Sequence, residues 1–195
     1  MSMDSHIEKV LWTQDQISRR VTELAAQITH DFNSVSPPPV VVGVATGAFI
    51  FLADLVRNIH LPISVDFIRA ESYGSGTLSS GAPVLSLDSK LDVKDKHVIL
   101  MHTFLCSQVE DIVDTGTTLS SLIANLVSKG ASSVSVCTFL DKPARRKIQV
   151  ELVGEGKFYR GFECPDYFVV GYGMDFAELY RNLPYVGVLK PECYK

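Results

Sequence analysis

The sequence predicts an α/β fold, a parallel sheet flanked by helices, and three observations carry that reading. Val40-Val41-Val42-Gly43-Val44 is a continuous, largely β-branched run of the kind buried on both faces of a parallel sheet. It is followed by a helix-like segment at residues 49–58 and a strand-like one at 63–68, and strand, helix, strand in that order calls for a crossover connection. The same order returns with Val98-Ile99-Leu100, a helical pattern over 118–128 and an alternating strand over 133–140.

Each element has a local cause. Thr13 and Gln16 form a capping box, and Ile17, Val21, Leu24, Ala25 and Ile28 recur at helical spacing, so an amphipathic helix spans residue 14 to about 31. Pro37-Pro38-Pro39 stops any helix and introduces the first central strand. Ala45-Thr46-Gly47-Ala48 is a small-residue turn leading into the second helix. From Ser72 to Ser89 the chain is rich in Gly, Ser and Thr without a packing period, which predicts a loop or hairpin. Gly130 ends the third helix. Tyr167-Phe168-Val169-Val170-Gly171-Tyr172 and Tyr185-Val186-Gly187-Val188-Leu189 read as two further short strands separated by a polar segment.

Composition bounds the function. With 195 residues and 46% hydrophobic content, the chain fits a single domain over 1–195. Eighteen basic against 22 acidic side chains give a net charge of -4, and no basic run exceeds Arg145-Arg146-Lys147, which argues against nucleic acid. Asp4, His6, Glu8 and Lys9 precede any apolar segment, and no apolar run approaches the roughly 18 residues of a membrane span, so a soluble, cytoplasmic protein without a membrane partner is expected. Cys106, Cys137, Cys164 and Cys193 form no C-x-x-C pair and read as reduced thiols.

The chemistry concentrates in Val109-Glu110-Asp111-Ile112-Val113-Asp114-Thr115-Gly116-Thr117-Thr118. A strand ending in acids that turns through hydroxyl residues and a glycine into a helix offers backbone N–H groups, hydroxyls and a helix dipole to one phosphate. Glu110 and Asp111 suit sugar hydroxyls or a divalent cation. The same Asp-Thr-Gly letters occur in aspartic proteases, but that chemistry needs two copies in an all-β setting. An Asp-nucleophile phosphatase is disfavoured because the next acid after Asp111 is three residues on.

On this motif, and on the order and spacing of segments from Ile7 to about Leu189, the chain resembles the phosphoribosyltransferases, and within them the hypoxanthine-guanine phosphoribosyltransferase family of purine salvage. The resemblance implies a Rossmann-like parallel sheet (the type I phosphoribosyltransferase fold) with a small hood from the N- and C-terminal segments. It implies Mg2+-dependent transfer of phosphoribose from 5-phosphoribosyl-1-pyrophosphate to hypoxanthine or guanine, giving IMP or GMP, in a homodimer or homotetramer.

By the same resemblance, residues 114–118 hold the 5′-phosphate, with Ile112 and Val113 also at the phosphoribosyl site, and Asp114 is the catalytic base at purine N7. Glu110 and Asp111 face the ribose hydroxyls and, with Asp175, the metal. Lys142 donates to the purine O6, Phe168 stacks on the base beside Tyr167, Val169 contacts it through its backbone, and Asp175 completes the purine side. Thr46, Gly47 and Arg181 bind pyrophosphate, and Ser72-Tyr73 opens the loop that closes over the reaction. Many family members carry lysine where this chain has Thr46. Taken alone, Lys142, Asp175 and Arg181 would be surface charges and Phe168 a core residue; only their spacing from the motif singles them out.

Set against the family pattern, Leu100 continues directly into Val109, so Met101-His102-Thr103-Phe104-Leu105-Cys106-Ser107-Gln108 reads as an insertion at a central strand. Eight extra residues are not expected to stay in register. Either residues 96–100 pair and the insertion bulges before Val109, or residues 104–112 supply the strand and Val98-Ile99-Leu100 is expelled. The second case predicts a destabilised, poorly active protein, and a nucleotide-binding protein without turnover is the competing function.

Overall fold

The computed structural model describes residues 3–69, 92–104, 117–143 and 150–194. Ser72 and Tyr73, residues 109–116 of the central motif, Cys106 and Arg145-Arg146-Lys147 lie outside the described residues. Strand β1 (Ile7–Trp12) leads to helix α1 (Gln14–Phe32), which opens with the expected capping box between Thr13 and Gln16. Then come β2 (Val40–Ala45), α2 (Phe49–Val56), β3 (Ser64–Arg69), β4 (His97–Phe104), α3 (Thr117–Ser128), β5 (Ser133–Asp141), β6 (Phe158–Glu163), β7 (Val169–Val170) and β8 (Val186–Leu189).

Five strands form one sheet in the order β3-β2-β4-β5-β6, and every neighbouring pair is parallel. Its core has two layers because side chains alternate across a strand. Val41, Ile99, Met101, Cys137 and Phe139 join Ile17, Val21, Leu24 and Ile28 of α1 and Phe51, Leu52 and Leu55 of α2. Val40, Val42, Val44, Val98, Leu100, Val134 and Val136 face Leu119, Leu122, Ile123 and Leu126 of α3. Both faces are covered, which is why β2 is apolar along its length and every residue of β5 is buried, Ser133, Ser135, Thr138 and Asp141 included.

A second sheet, β1-β8-β7, is antiparallel and joins the two ends of the chain into the hood, with its own cluster of Val170, Tyr180, Leu183 and Leu189. Trp12 stacks on Phe162 with ring centroids 4.9 Å apart, tying β1 to β6.

Three expectations are corrected. β1 and β6 were not foreseen. The strand read over 167–172 shrinks to Val169–Val170, because Gly171 and Tyr172 take left-handed φ values of 99° and 50° and turn the chain. The third correction concerns the insertion. Val98, Ile99 and Leu100 are fully buried and paired, so no expulsion occurs. The strand then runs on through Met101, His102 and Phe104, in register with Cys137, Thr138 and Leu140 of β5. Met101, not Val109, follows Leu100 in the sheet.

Candidate active site

The strand order locates the site. β2 is followed by α2 and returns on one side as β3; β4 is followed by α3 and returns on the other as β5. α2 and α3 pack on opposite faces, so β2 and β4 flank a topological switch point, where open α/β sheets form a crevice beyond the carboxyl ends of the strands. Four predicted positions lie at that end of the sheet: Thr46 and Gly47 after β2, Lys142 after β5, and Thr117 opening α3.

On the β2 side, Thr46 is exposed, and the peptide bond joining it to Ala45 is cis. The hood closes directly on this loop. Gly173 has φ +94°, and a Cβ there would stand 2.4 Å from the Gly47 carbonyl oxygen, so both the dihedral and the clearance require glycine. Tyr172, its neighbour, donates its hydroxyl to Asp54 of α2 at 2.9 Å. Burial, and then the adjacent Asp54 carboxylate, push that phenol's pKa up, so it stays a donor and pins the hood to α2.

Arg181 and Asp175 meet at the same place. Arg181 Nη1 donates to the Gly173 carbonyl at 2.9 Å, and its Nη2 lies 2.9 Å from Asp175 Oδ1 and 3.1 Å from Glu178 Oε2. A two-residue turn makes this possible. Phe176 and Leu179 exchange backbone hydrogen bonds around Ala177 and Glu178, whose φ values are 49° and 63°. The Glu178 N–H donates to Asp175 Oδ2 at 3.0 Å. Turns of this kind favour Asn-Gly, so the pair Ala-Glu is held in a disfavoured conformation beside the site's charges.

At the other end, Lys142 is 3% exposed; its Nζ donates to the Tyr167 carbonyl at 2.6 Å and stands 3.5 Å from Asp166 Oδ1. Phe168 is half-buried and stacks on Tyr194, with centroids 4.4 Å apart and planes at 13°. Phe176 meets it edge-on at 5.5 Å, linking the base-side residues to the turn that carries Asp175. Val169 is buried in β7, and Lys9 Nζ lies 3.8 Å from the centre of the Tyr167 ring.

The structure therefore brings Gly47, Gly173, Asp175 and Arg181 into one contact chain and Lys142, Tyr167, Phe168 and Val169 into a second, joined through Phe176. Glu110, Asp111, Ile112, Val113, Asp114, Thr115 and Gly116 lie outside the described residues, while Thr117 and Thr118 open α3. Among the described residues, no three His, Cys, Asp or Glu side chains are grouped to hold a metal. The partners missed by sequence reasoning are Asp166, Gly173, Glu178 and Tyr194. Only the Gly-Tyr-Gly spelling at 171–173 offered a local signal, since the other contacts are long-range or depend on the turn.

The parallel sheet covered by helices on both faces, with a crevice at its switch point, defines an open α/β class. The family model described as a phosphoribosyl transferase domain matches residues 13–177. The hypoxanthine-guanine phosphoribosyltransferase of Bacillus subtilis is 40% identical over 193 residues, which cover 99% of each chain. The bifunctional protein TilS/HprT of Listeria monocytogenes is also 40% identical over 193 residues, but the chain spans only 28% of its length. Among solved structures, a hypoxanthine phosphoribosyltransferase from Staphylococcus aureus superposes with a TM-score of 0.84 at 39% identity, covering 99% of this chain and 97% of that one. The chain belongs to the hypoxanthine-guanine phosphoribosyltransferase family.

Proposed function

We propose that this chain, as one domain, transfers phosphoribose from 5-phosphoribosyl-1-pyrophosphate to N9 of hypoxanthine or guanine, releasing pyrophosphate and yielding IMP or GMP. The observation that carries this reading is the pairing, at one end of the sheet, of an anion side built from Gly47, Gly173 and Arg181 with the buried cation Lys142 at the end of β5, across β4 from β2.

Lys142, whose Nζ donates to the Tyr167 carbonyl and stands 3.5 Å from Asp166, reads the O6 of a purine lying on Phe168. Tyr194 stacks on one face of Phe168. Val169 contacts the base through its backbone. The N-terminus of α3 takes the 5′-phosphate together with Thr115, Gly116, Thr117 and Thr118. Asp114 receives the proton at N7, and Glu110 and Asp111 orient the ribose hydroxyls. Thr46, Gly47 and Arg181 hold pyrophosphate as it leaves, and the segment beginning at Ser72-Tyr73 excludes water.

Mg2+ fits the carboxylate oxygens available, because Asp175 is partly exposed and a hard oxygen donor, with Glu110 and Asp111 of the same type. When bound it neutralises charge on the pyrophosphate oxygens. The protein works in the cytoplasm as a homodimer or homotetramer. Among the described residues, no helix is long and apolar enough to cross a membrane. Incubating the protein with hypoxanthine or guanine, 5-phosphoribosyl-1-pyrophosphate and Mg2+ should yield IMP or GMP. Absence of both products, with GMP still bound, would reject catalysis.

A further inference from the structure

Thr103 is a residue of the inserted segment, and its position in the sheet is unusual. It is 5% exposed, yet among the described residues its hydroxyl has no hydrogen-bond partner. A buried hydroxyl left unpaired costs about 1 to 3 kcal/mol, so such a group calls for an explanation. Alternation along β4 puts Thr103 on the face of Ile99 and Met101, toward α1 and α2. The strands bring it level with the loop after β2. Gly43 pairs with Met101, and two residues further on the strands reach Ala45 and Thr103. Thr103 Oγ1 then lies 3.8 Å from where a Cβ on Gly47 would stand, and Gly47 is the residue on which Gly173 and the Arg181 arm close.

We propose that the Thr103 hydroxyl is a pyrophosphate-binding group, donating to an anion oxygen held between the Gly47 loop and Arg181. This rests on reading Thr46, Gly47 and Arg181 as the pyrophosphate side of the site. It goes further by placing an inserted residue in the binding machinery. Had Leu100 continued into Val109, the third residue beyond Leu100 would have been Asp111. The strand instead presents Thr103 there. A carboxylate approaches an anion only through a cation, whereas a hydroxyl donates to it directly.

The test compares the full chain with Thr103→Val and Thr103→Ser by calorimetric titration with pyrophosphate, without Mg2+, and separately with GMP. Thr103→Val should bind pyrophosphate about tenfold more weakly, a loss expected for one hydrogen bond to a charged group. Its melting temperature should be equal or higher, since no buried hydroxyl remains unpaired. Thr103→Ser should bind as the parent does. Unchanged pyrophosphate affinity in Thr103→Val overturns the proposal. So does equal loss of both ligands with a lower melting temperature, which marks a structural role. If the parent protein binds GMP but not pyrophosphate, the reading of the Gly47 loop fails instead.

Discussion

Removing Met101 to Gln108 separates two mechanisms by which an insertion could act. In the deleted protein Val109 would follow Leu100 and take the place of Met101 opposite Gly43 and Cys137. β4 would then end in Glu110, Asp111 and Ile112. The connection to α3 would shorten from the twelve residues 105–116 to four, within the usual range for strand-to-helix loops. Loop closure scales with the logarithm of length, so this threefold shortening stabilises by about 1 kcal/mol. Losing the unpartnered Thr103 hydroxyl adds about 1 kcal/mol, and exchanging buried Met101 for the smaller Val109 costs about as much. Asp111 brings a carboxylate into the place of Thr103, which keeps the gain at or below roughly 1 kcal/mol.

For a chain of this length that is a rise in melting temperature of no more than about 2 to 4 °C. Expulsion of Val98, Ile99 and Leu100 would instead have exposed about 5 to 9 kcal/mol of apolar contact, and the deletion would recover well over 10 °C. Activity should move much more than stability. The family pattern runs Leu100 directly into Val109, so the deletion restores the spacing that puts Glu110 and Asp111 at the strand end and should raise kcat/KM, since an ångström in the position of such groups can cost about 100-fold. Calorimetry and steady-state kinetics with hypoxanthine read the two effects separately. A melting shift above 10 °C would refute the in-register strand, and an unchanged kcat/KM would refute the expectation that the insertion lowers activity.

Three further outcomes follow from the geometry. Lys142→Met should lower kcat/KM for hypoxanthine by roughly 10- to 150-fold, the scale for losing one charged hydrogen bond, while the affinity for pyrophosphate stays within twofold; equal losses for both would contradict its role on the base side. Gly173→Ala should raise the KM for 5-phosphoribosyl-1-pyrophosphate and lower the melting temperature, because the new Cβ meets the Gly47 carbonyl at 2.4 Å and φ stays at +94°; a parent-like KM would show that the hood does not set the loop. His97 lies between the Ser133 and Ser135 hydroxyls and against Phe32, and burial, with Lys157 nearby, lowers its pKa from 6.5 to about 4. The unfolded chain therefore binds this proton first, and stability should fall as pH drops from about 6.5 to about 4, by at most about 3 kcal/mol. Urea midpoints at several pH values measure this, and His97→Gln should flatten the dependence.

What the sequence disclosed follows from where each element gets its stability. α1 announces itself through a local cap and an apolar stripe, and β2 and β5 through burial on both faces, so their own residues suffice to identify them. β1 does not, because Glu8 and Lys9 interrupt it and its partner β8 is some 180 residues away. β6 is an edge strand whose Arg160 and Glu163 face solvent and whose Gly161 permits close approach to the Phe139 carbonyl. In the site, Lys142, Asp175 and Arg181 were legible through spacing from the motif. The groups that aim them, Asp166, Gly173 and Glu178, become visible only once the hood folds back over the sheet.

The register of β4 has a physical reason that bears on how this family tolerates change. After Leu100 two segments compete to complete the strand. Met101 to Phe104 is adjacent and needs no loop, whereas Val109 to Ile112 must first close one over the eight intervening residues. At the buried third position the nearer segment supplies the Thr103 hydroxyl, where the farther one would bury the Asp111 carboxylate, and an unpaired buried charge costs far more than a hydroxyl. Met101 suits the slot because a flexible thioether conforms to a space shaped for another residue. The sheet therefore accepts the insertion at little cost to folding, while the residues delivered to the switch point change. The fold fixes the switch point between β2 and β4, and the identity of the four residues after Leu100 decides which side chains the strand presents toward it.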